Sequence, residues 1–391
     1  MTQQLTERAP QTTTPQTARN ADLHDLARIL QSQQERKLDV VAKASALRSR
    51  NGNLVISGVE PVIKASGVVG ADGQYMPTEV ADEGIAEKLG IPTAYLRRTR
   101  NQLPSLYDAN VNGWLDQDPE RRFMVRAMRA DGAPGAEPGV GVARALLSPN
   151  YKLMDNFDLL MAALDGIRQA GHPVEITGCD LTDRRMYVRV ESGAVAVQAR
   201  ELLKGYRSPF SGETGDEMPL VYAGFVISNS EVGSGAFSIT PRAVFRVCSN
   251  GLTMTEDAMR SVHLGKKQED GVIDWSGETQ QNLLSLIASE TTDAVRTFLS
   301  RRYVEDKLRA IEEAAGRPVK DPAKTIERVS KQLNIPKGVR DSILNHFITG
   351  GQPTAGGVLN AITATAQTLT NADAASDLEA MALPAMWAVA A

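Results

Sequence analysis

Three arginines and the polar residues beside them are the first places where residue type and spacing in this chain suggest chemistry. Arg144 stands in a strand-like run leading to Ser148-Pro-Asn150, Tyr151 and Asp155-Asn156, where a turn opens a helix whose unpaired amides can face an anion. Arg242 and Arg246 lie four apart on the strand that ends at Cys248-Ser-Asn250-Gly251, so a period of two puts both on one sheet face. Two arginines on one face can track a phosphate backbone while an aromatic such as Tyr151 stacks on bases. Asn156 and Asn250 occupy the adjoining turns, either as contacts or as caps. The alternative, of equal standing, is that both arginines pair with carboxylates such as Glu231 or Asp155.

Other chemistries fit the residues less well. Gly139 and Gly141 are followed by Arg144 where a dinucleotide fingerprint needs a third glycine, and the chain has no G-x-x-x-x-G-K-[ST] and no G-x-S-x-G. Acidic pairs such as Asp155 with Asp158, or Asp180 with Asp183, suit caps and turns better than a magnesium site. Cys179 and Cys248 sit in or beside strand-like runs, where cysteine behaves as a small apolar residue. His24, His172, His263 and His346 lie far apart, so neither a catalytic residue nor a metal or cofactor is expected. Arg97, Arg98 and Arg100 share one helix, which reads either as a helix-turn-helix element or, more simply, as a solvated face.

The elements that must position these residues follow from periodicity and punctuation. Residues 1–19 hold six Thr, four Gln and two Pro with almost no large apolar residue, a composition expected to form a disordered tail. The run Lys37–Lys43 alternates with a period of two, and Asn51-Gly52 marks a hairpin. Between Glu79 and Gln117 the period is helical, with Gly90-Ile-Pro92 and Pro104 as breaks. Strands return from Phe123 onward, with one helix after the Ser148-Pro-Asn150 turn carrying Leu159, Leu160, Ala163 and Ile167 at apolar spacing, and predict an antiparallel sheet carrying a packed helix. From Glu278 onward the pattern is helical throughout, with Asp321-Pro322 opening one helix. The fold class expected is therefore α+β: antiparallel sheet with packed helices in the middle and an all-helical C-terminal region. The division expected is a tail (1–19), an α+β core with an N-terminal helical segment (20–277) and a helical region (278–391).

Composition bounds the function without choosing it. The 391 residues carry 43 Lys+Arg against 47 Asp+Glu, so any polyanion site must be local. Residues 296–340 hold twelve Lys/Arg, Arg301 and Arg302 among them, against six Asp/Glu, and Arg340 is the last basic residue of the chain. Either this basic stretch faces a polyanion, or it packs against the acidic segment that follows. The longest apolar run, near the end, is shorter than the roughly twenty residues a bilayer requires, so no membrane association is expected. Two cysteines and no apolar leader fit a cytoplasmic protein.

The runs Val142-Ala-Arg-Ala-Leu-Leu-Ser148, Tyr151 and Asp155-Asn156 resemble the R-A-x-x-S-x-x-Y-x-x-x-D-N core of the phage/plasmid-like protein family, a domain of unknown function numbered 932. Phe225-Val-Ile-Ser-Asn-Ser230 with Gly233-Ser234, and Phe245-Arg-Val-Cys-Ser-Asn-Gly251, are similar to its later blocks. Leu89-Gly-Ile-Pro-Thr-Ala-Tyr95, Asn110-Val-Asn-Gly-Trp114 and Leu359-Asn-Ala-Ile-Thr363 are similar to its flanking segments. The resemblance spans about residues 37 to 380 and implies a role in the DNA metabolism or takeover programme of a mobile element in a bacterial host. By analogy of fold alone it suggests a ring-forming single-strand annealing protein. The function expected is thus non-enzymatic binding of nucleic acid, single-stranded DNA favoured, by a homo-oligomer through Arg144, Tyr151, Asn156, Arg242, Arg246, Asn250, Arg301 and Arg302. The alternatives are a metal-dependent nuclease using Asp155, or a phage assembly protein.

Overall fold

The computed structural model describes residues 17–64, 67–130, 139–151, 153–247, 251–261 and 276–391. Along the chain come β1 (Ala18–Ala21), α1 (Leu23–Arg36), β2 (Lys37–Lys43), β3 (Leu47–Arg50), β4 (Asn53–Ile56), β5 (Val62–Lys64), β6 (Gly67–Val69) and β7 (Gly73–Pro77). Three helices follow, α2 (Glu79–Leu89), α3 (Thr93–Gln102) and α4 (Pro104–Gln117), then β8 (Arg122–Met128), β9 (Gly141–Leu147) and α5 (Asn156–Ala170). The second half opens with β10 (Glu175–Leu181), β11 (Met186–Gln198), α6 (Arg200–Leu203), β12 (Leu220–Asn229), β13 (Phe237–Phe245), β14 (Gly251–Thr253) and β15 (Met259–Ser261). Six helices close it: α7 (Gly277–Phe298), α8 (Arg301–Ala315), α9 (Pro322–Gln332), α10 (Lys337–Gly350), α11 (Ala355–Thr368) and α12 (Ala372–Ala390).

The fold is α+β, and its strands form two principal sheets rather than the one central sheet expected. The larger, in the order β1-β10-β11-β12-β13-β14 with β15 also on β13, is antiparallel throughout. The second, β2-β8-β9-β7-β4-β3, is antiparallel except where β7 runs parallel to β9. Each has its own core. Leu38, Leu47, Phe123 and Val125 of the second sheet pack on Ile85, Leu96, Tyr107 and Leu115 of α2, α3 and α4. The larger sheet packs Val188, Phe225, Ile227 and Phe237 on Leu26, Leu30, Leu159 and Leu160, and the same core runs on through Leu308, Ile362, Leu378 and Met386.

The boundary expected at residue 277 therefore falls inside one apolar core, because the C-terminal helices bury their apolar stripes on the larger sheet and not on one another alone. Of the expected tail, residues 1–16 lie outside the described residues, whereas Ala18 already begins an edge strand paired with Leu181. Local signals act as read. Asn51 and Gly52 both take positive φ, 52° and 75°, the geometry of a two-residue hairpin turn. Asp108 of α4 fastens that turn, accepting hydrogen bonds from the amides of Asn51 at 2.6 Å and Gly52 at 3.0 Å. Asp321 caps α9 by accepting from the Lys324 amide at 3.0 Å, with Pro322 at the first helical position. Among the described residues no helix is long and apolar enough to cross a membrane.

Candidate functional site

The sequence-selected residues fall into three places: a buried clasp between the sheets, a groove on the larger sheet, and an exposed basic surface.

Arg144, Tyr151 and Asn156 belong to the clasp. Arg144 is 8% exposed and its Nη1 lies 2.6 Å from Glu231 Oε2, in the turn after β12. Glu231 Oε1 accepts from the Asn156 amide at 2.5 Å, so the first amide of α5 faces this protein's own carboxylate. The Asn156 side chain accepts from Asn229 Nδ2 at 2.8 Å. Beside them Arg126, 1% exposed, donates to Asp39 at 2.8 and 3.0 Å, to Asp155 at 2.6 Å and to the Glu231 carbonyl at 2.8 Å. Lys37 supplies a second cation to Asp155. Three cations and three carboxylates thus balance in a largely buried junction, the condition under which buried charges are tolerated.

Two consequences follow for the expectations. Arg144 and Asn156 are spent on joining β9 to α5 and to the end of β12, and do not reach solvent to meet a phosphate. Asp155 is held by two cations and cannot serve as an open metal ligand. Burial alone would raise its carboxyl, but Arg126 and Lys37 more than offset this and hold it at about 2. Tyr151 is half-buried beside the same junction, and burial pushes its phenol upward. Lys37, Asp39 and Arg126 were missed by sequence reading, although Asp39 and Arg126 are direct cross-strand partners on β2 and β8.

Arg242 lies on the other face of the larger sheet. It is 7% exposed, and its Nε and Nη2 donate to the Glu379 carboxylate of α12 at 2.9 and 3.3 Å. Its guanidinium rests over Gly251, where a Cβ would lie only 1.9 Å away. Arg246 follows the end of β13 and is exposed, and both arginines act on the charge of Glu191, as expected of residues sharing a face. Asn250 and Cys248 lie outside the described residues. Neighbouring contacts on this face are Arg185 to Asp377 at 3.1 Å and Tyr187 Oη donating to Asp373 at 2.9 Å. Arg189 and Arg19 both pair with Asp180. Arg19, Asp180, Tyr187, Arg189, Glu191 and Arg242, with residues of α11 and α12, line an open groove of about 490 Å³. The alternation Tyr187, Arg189, Glu191 on β11 was the available signal for this polar face.

The acidic C-terminal segment therefore pairs with the sheet, since Asp373, Asp377 and Glu379 of α12 meet Tyr187, Arg185 and Arg242. The basic stretch 296–340 keeps ten of its twelve cationic side chains exposed, the exceptions being Lys307 and Arg340. Arg301 and Arg302 open α8, with Arg302 94% exposed. Their partners, Glu305 at 3.4 Å and Asp306 at 3.8 Å, are surface neighbours one turn away, and such pairs hold little energy. Arg317, Lys320 and Lys337 make no ion pair among the described residues.

The remaining motifs have structural roles. Arg98 is exposed and donates to Gln102, as on a solvated helix face, but Arg97 pairs with Glu83 at 2.5 Å and Arg100 reaches the fully buried Asp82 at 2.9 Å, so two of the three arginines hold the fold. Ser230 Oγ accepts from the amides of Val232 and Ser234 and so shapes the turn after β12. Cys179 is buried, which pushes its thiol up to about 11 and leaves it unreactive at neutral pH. Asp22, His24 and Asp25 are a close cluster at the start of α1, but Asp22 is occupied as its cap. Searches of protein-family models, curated protein sequences and solved structures find no match to this chain.

Proposed function

We propose that this chain is a non-enzymatic nucleic-acid-binding protein of the phage/plasmid-like family, acting on single strands as a homo-oligomer in the cytoplasm of a bacterial host. The observation that carries this reading is the fate of the two charged segments. Acidic side chains laid over the cations of the basic helices would have left no polyanion surface. Instead α12 packs on α8 and α9 through apolar residues, three of the segment's four side-chain carboxylates (Asp373, Asp377 and Glu379) meet Tyr187, Arg185 and Arg242, and the excess of cations over residues 296–340 stays in solvent. A surface of that kind attracts a phosphate backbone through counterion release without needing nucleotide chemistry. The side chains assigned to this role are Arg301, Arg302 and Arg309 of α8 with Arg317 and Lys320 beyond it. Arg144, Asn156 and Arg242 take no part in it.

The nuclease alternative is disfavoured by the pairing of Asp155 with Lys37 and Arg126. The test is fluorescence anisotropy with a labelled single-stranded oligonucleotide and its duplex, at several salt concentrations. Binding should weaken steeply with salt. Replacing Arg301, Arg302 and Arg309 by alanine should reduce the slope of log affinity against log salt by about 2 to 3, close to one for each phosphate no longer neutralised. No binding at low salt overturns the proposal, and preference for the duplex overturns its single-strand part. Sedimentation velocity tests the oligomer, and a monomer at all concentrations refutes it.

A further inference from the structure

The groove on the larger sheet contains polar groups that the fold itself does not use. Antiparallel partners share a face, so Glu175, Glu191, Gly224, Arg242 and Thr253 form one row across β10 to β14. Gly224 puts no side chain between Glu191 and Arg242, and a Cβ there would lie 2.5 Å from the Val190 carbonyl, so β11 and β12 approach closely at this point. The Arg242 guanidinium leans over Gly251 of β14.

Most charges of the groove are matched inside it. Asp180 takes Arg19 and Arg189, and Glu379 takes Nε and Nη2 of Arg242. Three groups are left over among the described residues. Glu191, half-buried, has no ion pair and accepts no hydrogen bond there, Arg242 Nη1 makes no hydrogen bond, and the buried hydroxyl of Thr253 has no partner. Burial pushes the Glu191 carboxyl above its ordinary range, against the pull of Arg242 and Arg246 and with the help of Glu175 opposite. A carboxylate so placed lacks a cation in contact with it.

The leftover set is one anion, one cationic donor edge and one hydroxyl, all three lining the same groove. Val226, Val244, Ala375 and Ala380 line the groove beside them. At about 490 Å³ the groove has the size of small-molecule sites, and its small apolar residues leave room for a side chain.

We infer that this groove binds a small zwitterion of the α-amino acid class, its ammonium on Glu191 and its carboxylate on Arg242 Nη1. The side chain of the ligand lies along Val226 and Val244 under α12. This site is separate from the basic helix surface, so it stands or falls independently of the nucleic-acid reading.

The test is isothermal titration calorimetry of the full chain with each of the common L-amino acids, then with the N-acetyl and carboxamide forms of the best binder. Saturable binding of at least one amino acid is expected, and each blocked form should bind at least about tenfold more weakly, the worth of one missing charge-assisted hydrogen bond. Glu191→Gln, which keeps shape on a partly exposed position, should give the same tenfold loss with an unchanged melting temperature. Thr253→Val provides a second variant that keeps the charges and should weaken binding less. Absence of heat with every amino acid overturns the inference. So does equal affinity of the N-acetyl form, of the carboxamide form, or of the Glu191→Gln protein for the free amino acid.

Discussion

Substitution of Asp155 by asparagine tests whether the buried clasp holds the two sheets together by charge. Asparagine keeps the shape of the side chain and one acceptor, but removes the anion shared by Arg126 and Lys37. Lowering a carboxyl from 3.8 to about 2 on folding corresponds to about 2 to 3 kcal/mol, since each tenfold change in proton affinity is worth a little over about 1 kcal/mol. Leaving Arg126 short of a counter-ion at 1% exposure adds to this, so a total of about 3 to 4 kcal/mol is expected at pH 7, in the range for breaking a buried pair. Urea unfolding followed by far-ultraviolet circular dichroism measures it. The folded-state carboxyl is depressed, so its contribution is complete above the unfolded value near 4 and is lost as pH falls toward 2. The wild-type protein should therefore lose part of its stability over that interval, and Asp155→Asn should lose correspondingly less. A destabilisation under about 1 kcal/mol at pH 7, or an identical acid response in the two proteins, would refute the reasoning.

Asp82 provides the opposite case: burial pushes its carboxyl up to about 6, against Arg100 and the hydroxyl of Tyr107, so ionisation works against folding. The stability of Asp82→Asn relative to wild type should rise by about 2 kcal/mol between pH 4 and pH 7.5, measured by urea unfolding at both, and a constant difference would contradict the assignment. Gly251→Ala places a methyl where the Arg242 guanidinium lies and should break its pair with Glu379, lowering stability by about 1 to 3 kcal/mol; thermal unfolding within a degree of wild type would show that the arginine has another seat. Arg302→Ala should leave the melting temperature unchanged, since the side chain is almost fully exposed, while weakening oligonucleotide binding at low salt.

Much of the local structure was legible in the chain. The positive-φ pair Asn51-Gly52, the left-handed Gly90 ending α2 and the Asp321-Pro322 start of α9 act over three or four residues, which a sequence displays directly. The α+β class followed from the change of period between residues 123 and 278. The candidate site was legible only in part. Carboxylate pairing stood beside phosphate contact as the alternative reading of Arg242 and Arg246, with partners such as Glu231 or Asp155, but Glu231 serves Arg144 and Asp155 serves Arg126 and Lys37. Arg242 found Glu379, 137 residues away.

Composition and short-range pattern by themselves determined the fold class, the elements and the segregation of charge along the chain, because helix caps, turns and periodicity are properties of neighbouring residues. Which arginines are spent inside the protein and which remain in solvent was decided by tertiary structure alone. An arginine on a strand has the same local signature whether it faces water or a carboxylate, and its partner is chosen by how distant elements pack. That packing turned Arg144 into a clasp, placed Arg242 in a groove under α12, and left the cations of α8 exposed.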